Sequence, residues 1–107
     1  MKLCHSRPQP ETPNALYVMR LDGEIDLGNS AATGDWILHE LDASGCRAAL
    51  VDCSGLKFLD ATGMSMMLRI QHHAEDAHVT LVWSRLAGLP LRAIRVVGLD
   101  HQLALIA

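Results

Sequence analysis

Five carboxylates stand where a short chain could put them to chemical use. Asp22, Glu24 and Asp26 follow the first apolar alternation, Asp52 interrupts the run AALVDC, and Asp60 opens the string DATG. Two carboxylates at neighbouring strand ends could perform acid–base catalysis or hold Mg²⁺. Single ones at such places serve turns and caps. The DATG spacing favours the second role for Asp60, as an N-cap accepting from the backbone N–H of Thr62 or Gly63. The histidines are His5, His39, His72, His73, His78 and His101. His72 and Asp76 have the spacing of two ligands on one helix face, but no H-E-x-x-H or paired C-x-x-C accompanies them. A solvated His–Asp contact along the helix is the preferred reading. Cys4, Cys46 and Cys53 are an odd set without C-x-x-C, which suits free thiols in a reducing compartment. Cys53 ends an apolar run and reads as a small inert hydrophobe. The glycines form no phosphate-binding signature and read as turn or cap residues. No catalytic residue, metal or cofactor is assigned.

The elements that must position these groups follow from periodicity. Lys2–Ser6 reads as a short edge strand and residues 7–14 (RPQPETPN) as a proline-rich loop, so 1–14 is an appendage to a domain over 15–107. Ala15–Leu21 alternates as a strand that Asp22-Gly23 ends. Asn29 and Ser30 offer cap oxygens for a helix to about Ala43, with Ala32, Trp36, Ile37 and Leu41 as its apolar stripe and Ser44-Gly45 as its stop. Gly34 weakens its first turns. Ala48–Cys53 reads as a central strand buried on both faces, which Ser54-Gly55 breaks. A second helix runs from Asp60 to about Asp76 on Met64, Met67, Leu68, Gln71 and Ala74. Val79–Trp83 is a strand and Leu91–Val97 a short helix, with Pro90 in its first turn and Gly98 as a left-handed stop. Leu103–Ile106 is the last strand. Helical links between strands demand parallel pairing. The expected fold is α/β: an open, mostly parallel sheet of four to five strands with helices packed on it. At its strand C-termini Asp26 and Asp60 should approach each other.

Composition excludes several function classes. At 107 residues the chain is too short for a (β/α)8 barrel of roughly 250 residues or a doubly wound dinucleotide enzyme. Four aromatics (Tyr17, Trp36, Phe58, Trp83) are few for stacking nucleic-acid bases. Twelve acidic residues against nine basic give a net charge of −3, with no basic run to meet a phosphate backbone or an anionic bilayer. No apolar stretch is long enough to cross a membrane, and the N-terminus lacks the apolar core of a signal peptide. The expected location is the cytoplasm, without nucleic-acid partners or membrane insertion.

Three strings in order, GEID (23–26), VDCSGLKFLDATGM (51–64) and GLD (98–100), resemble the STAS domain family. Its simplest members are bacterial anti-sigma factor antagonists. The family pattern reads approximately L-x-G-[EDR]-[LIF]-D, then hydrophobic-D-[LFC]-[ST]-x-[LVA]-x-[FY]-[ILMV]-D-[ST]-[ST]-G, then G-[LF]. Leu21–Asp26, Val51–Gly63 and Gly98-Leu99 stand at these places, so the resemblance spans about residues 15–106. It implies a non-enzymatic protein-interaction module with Asp26, Asp60, Ala61, Thr62, Gly63 and Met64 as the docking surface. The implied partner is an anti-sigma factor or related serine/threonine kinase. Such a kinase phosphorylates the first hydroxyl residue after the aspartate, and the antagonist then lets go.

Here that position is Ala61, which has no hydroxyl. Three readings stay open. The protein is a constitutive antagonist; or Thr62 is a substitute acceptor, rotated by about 100° along a helix; or the domain serves another complex, such as a STAS subunit of lipid transport docking on an ATPase. A homodimer through the proline-rich segment is also open. By the same resemblance, the C-terminal helix that many STAS domains carry is expected to be missing, leaving an apolar face for a partner or second copy. Met64, Met66 and Met67 read either as part of a well-buried helix or as an adaptable partner surface.

Overall fold

The computed structural model describes residues 4–8, as backbone only, and residues 16–107. The expected proline-rich loop lies for the most part outside the described residues. The chain runs β1 (Cys4–Pro8), β2 (Leu16–Ile25), α1 (Ser30–Ser44), β3 (Ala48–Leu59), α2 (Ala61–Asp76), β4 (Thr80–Ser84), α3 (Gly88–Val96), a 3-10 turn at Leu99–His101, and β5 (Leu105–Ile106). One sheet of five strands has the order β1-β2-β3-β4-β5. Strands β2 to β5 are parallel, and β1 pairs antiparallel along the edge of β2. An edge tolerates Pro8, which has no N–H to give to a ladder.

The helices α1 and α2 cover one face. Met19, Leu21, Ala49, Val51, Cys53, Leu81 and Trp83 point into a core completed by Ile37, Leu41, Met66, Met67, Ile70 and Ala74. The opposite face is only half-covered, because Leu16, Val18, Ala48, Leu50 and Val82 are all partly exposed. This corrects the reading of β3 as a strand buried on both faces. Its burial alternates residue by residue from Ala48 to Cys53. All three helical links step across the sheet in the same direction, and right-handed crossovers then fall on the same side.

Three further expectations fail for tertiary reasons. Asp22-Gly23 does not end β2, and Ser54-Gly55 does not break β3; both strands run on as partners to Ile25 and Leu59. The irregularity is absorbed as bulges, with register shifts between Arg20/Asp22 and Gly23/Glu24 that insert extra residues on β3. Gly23 takes a left-handed φ of 87°. Gly55 is needed because a Cβ there would sit 1.7 Å from Asp22 Oδ1, whose carboxylate lies across it to accept from Arg20 Nε at 2.7 Å. The stripe of α1 is also rotated. Ala32 is exposed and Trp36 half-buried, while Ser30, Thr33, Gly34, Ile37 and Leu41 are buried. Gly34 is a contact point: a Cβ would come within 2.8 Å of Met66 Cγ and 2.4 Å of Arg69 Nη2 on α2. The glycine lets the two helices close.

Polar groups brace the layers. Gln71, only 4% exposed, accepts through Oε1 from Trp83 Nε1 at 2.9 Å and from the Ala104 N–H at 3.1 Å. A residue that the periodicity counts as part of an apolar stripe thus ties α2 to β4 and to the segment before β5. The Tyr17 hydroxyl donates to Glu40, and His73 meets Asp42 at 2.9 Å, joining α1 to β2 and to α2. Leaving a buried donor unpaired costs about 1–3 kcal/mol. Gln71→Leu strands the buried Trp83 N–H and the part-buried Ala104 N–H, so it is expected to lower the unfolding free energy by about 1–3 kcal/mol in urea titration, whereas Gln71→Glu restores an acceptor and recovers part of the loss near neutral pH.

Candidate functional site

Parallel pairing of Ile25 with Leu59 brings the segment after β2 beside the start of α2. Asp60 holds the two together. Its backbone N–H donates to the Ile25 carbonyl at 3.2 Å. One carboxylate oxygen, Oδ1, accepts from the Gly63 N–H at 3.0 Å and from the Thr62 hydroxyl; the other, Oδ2, accepts from the Leu27 N–H at 3.1 Å. These donors, the Thr62 hydroxyl first and the Gly63 N–H next, hold the Asp60 carboxyl below the ordinary carboxylate range.

Asp26 is engaged in a turn of its own. Its carboxylate accepts from the Gly28 N–H at 2.9 Å, and its carbonyl accepts from Asn29 and Ser30 at the head of α1. The expected approach of the two acidic positions takes the form of a link between their loops, from Leu27 to Asp60. Asn29 is the N-cap residue of α1, but its side chain does not cap. It turns back, accepting from the Asp26 N–H at 3.0 Å and donating to the Glu24 carbonyl at 2.9 Å. Both carboxylates therefore act as acceptors that fix backbone.

Around this frame the side chains are largely apolar. Ala61 is exposed on the first turn of α2, Thr62 is half-buried with its hydroxyl committed to Asp60, and Met64 is half-buried. Gly63 is buried where a Cβ would lie 2.4 Å from Leu59 Cδ1 and 2.9 Å from Ile25 Cγ2, so the helix start presses directly on the strand ends. Met66 and Met67 belong to the core, which leaves Met64 as the one methionine of that trio near the surface. Two exposed apolar residues that sequence reasoning did not place here flank the acidic positions in the chain: Leu27 at 79%, next to Asp26, and Phe58 at 42%, two residues before Asp60. The signal for Leu27 was a large aliphatic between Asp26 and Gly28, inside a turn where nothing could bury it.

The remaining candidates lie elsewhere. His72 and Asp76 sit on the outer side of α2 along an open groove with Ser65, Leu68, Arg69 and His73. The histidine–carboxylate contact of this helix is made by His73 with Asp42 of α1. Among the described residues no group of three or more His, Cys, Asp or Glu is placed to hold a metal ion. Cys53 is buried, and that burial pushes its thiol up to about 12, far from a reactive thiolate. No helix among the described residues is long and apolar enough to cross a membrane.

A family model described as Mlab, STAS domain, matches residues 10–107. Solved structures share the fold. The anti-sigma factor antagonist SpoIIAA in its unphosphorylated form aligns with a TM-score of 0.68 at 16% identity, over 96% of this chain and 88% of that one. An anti-sigma factor antagonist from Mycobacterium paratuberculosis gives 0.72 at 20% identity, over 95% and 84%. SLC26A9 gives 0.77 at 11% identity, over 98% of this chain and 22% of its own. No curated protein matches the chain.

The cap makes a prediction with a defined sign. Because the folded carboxyl titrates below its unfolded value, Asp60 stabilises the fold fully above the unfolded value of about 3.9 and loses that contribution as pH falls through the lowered one. Asp60→Asn keeps one acceptor and forfeits the other. It is expected to unfold at lower urea concentration than the native chain at pH 7, with the gap narrowing below about pH 4.

Proposed function

The chain belongs to the STAS domain family, and on that premise we propose that it is a cytoplasmic, non-enzymatic interaction module of the anti-sigma factor antagonist type. It binds an anti-sigma factor or related serine/threonine kinase through the surface of Asp26, Asp60, Ala61, Thr62, Gly63 and Met64, extended by Leu27 and Phe58. The observation that carries this reading is an exposed apolar turn, Leu27 at 79%, tied by its N–H to Asp60 at the head of α2, where Ala61 is also exposed; Phe58 at 42% lies two residues before Asp60. A preorganised apolar surface loses little entropy when a partner covers it.

Regulation at this surface differs from a hydroxyl switch. Ala61 stands exposed where the family's acceptor stands and has nothing to phosphorylate. The neighbouring Thr62 hydroxyl donates to Asp60, so a phosphate there would forfeit that bond and set about −2 charge against a carboxylate. The module accordingly stays in its binding state. The second reading, a STAS subunit docking on the ATPase of a lipid-transport complex through the same surface, is favoured by the same Ala61, which leaves a kinase no hydroxyl at that position.

Ala61→Glu places a charge in the contact without touching the core. It is expected to weaken the partner complex at least about tenfold by titration calorimetry, with an unchanged circular-dichroism spectrum. Unchanged affinity would move the interface elsewhere. Incubation with the cognate kinase and ATP is expected to leave the intact mass unaltered, and a phosphate mapped to Thr62 would overturn the constitutive reading. The partner separates the two assignments: a histidine-kinase-like ATPase domain supports the first, a transporter ATPase the second.

A further inference from the structure

The last helix carries a second outward surface of different composition. α3 buries Pro90 and Ile94 and packs mainly on β3. Its other side is also apolar: Leu89 is 63% exposed, Val96 79%, and Val97, just past the helix, 58%. Leu89, Arg92 and Val96 stand at i, i+3 and i+7 and so share one stripe. Arg92 and Arg95 are exposed, and the ion pairs among the described residues involve other cations: Arg20, Arg69, His73 and His101. With Gly88, Leu91 and Val96 the two arginines line an open groove of about 440 Å³.

Two guanidinium groups with no carboxylate partner among the described residues, set among exposed aliphatic side chains, form a local exception on a chain of net charge −3. Guanidinium is the cation best suited to bidentate pairing with carboxylates, and an aliphatic stripe on a helix is what an amphipathic partner helix covers. An anionic bilayer fits less well, because the net charge opposes approach and two arginines fall short of the clusters of about four to eight that read as lipid-binding. Asp35 and Asp42, the exposed acids of α1, already meet Arg69 and His73 of α2, which makes a separate acidic partner the better complement than a second copy docking through α1. We propose that the outer face of α3, Leu89, Arg92, Arg95 and Val96, docks an acidic amphipathic helix of a partner protein. Its apolar side chains cover Leu89 and Val96 while its carboxylates pair with the two arginines. This surface shares no residue with the one at Asp60.

The test replaces Val96 with the photo-crosslinker p-benzoylphenylalanine in the full chain, irradiates cells of the native host, and sequences the crosslinked peptide. The expected product is a partner segment with excess Asp and Glu and apolar residues at helical spacing. Arg92→Glu combined with Arg95→Glu is expected to cut its yield at least about tenfold while thermal melting of the domain is preserved. A basic or uncharged segment, a phospholipid adduct, a crosslink to a second copy of this chain, no crosslink, or an unchanged yield on charge reversal would overturn the proposal. The same crosslinker at Leu27 reads the Asp60 surface independently, so loss of one contact is distinguishable from loss of the other.

Discussion

The Asp60 carboxylate joins two segments that lie far apart in the chain and side by side in space. One oxygen receives the free N–H of Gly63 and the Thr62 hydroxyl at the head of α2, and the other receives the N–H of Leu27 in the link from β2 to α1. Four N–H groups open every helix without intrahelical partners, and a cap residue commonly satisfies one of them. Here the cap reaches across to a second loop. That second bond holds Leu27 out in solvent beside the helix start, and it gives the exposed apolar surface a defined shape.

The cap can act this way because the layers beneath it are closely set. Gly63 admits the strand ends of β2 and β3 against the first turn of α2, and Gly34 admits Met66 and Arg69 against α1. Gln71 fixes the far half of α2 by serving two donors from β4 and the segment leading to β5. Each of these residues is unfavourable or neutral when considered alone: glycine weakens helices, and a buried amide needs partners. Each becomes favourable once the sheet supplies a neighbour. The aromatic-poor composition fits the same pattern, since aliphatic and methionine side chains fill a thin helix-on-sheet core and leave one face of the sheet half-covered.

Function on such a scaffold resides in surfaces. Near the C-terminal ends of the parallel strands Asp60 ties the exposed Leu27 turn to the head of α2, and α3 displays aliphatic and guanidinium groups together. The two surfaces differ in charge character, so they suit partners of different chemistry.

Local signals were legible in the amino-acid sequence because they depend on near neighbours. The order of strands and helices, Asp60 as the cap of α2, Gly45 and Gly98 as left-handed stops, and the three ordered strings of the STAS family all follow from spacing along the chain. Features that depend on a partner across the fold were decided by tertiary structure. Asp22-Gly23 resembles a turn in isolation, yet pairing with a bulged β3 keeps it in the sheet. Asn29 resembles a cap, yet its amide is drawn back to Asp26 and Glu24. Gln71 falls on the apolar stripe of α2 by spacing alone, yet it is the donors of Trp83 and Ala104 that give its buried amide a purpose there. Leu27 lies beside Asp60 only because parallel strands end together. Periodicity reports which way a side chain points from its own element, and only the packed sheet determines what it meets there.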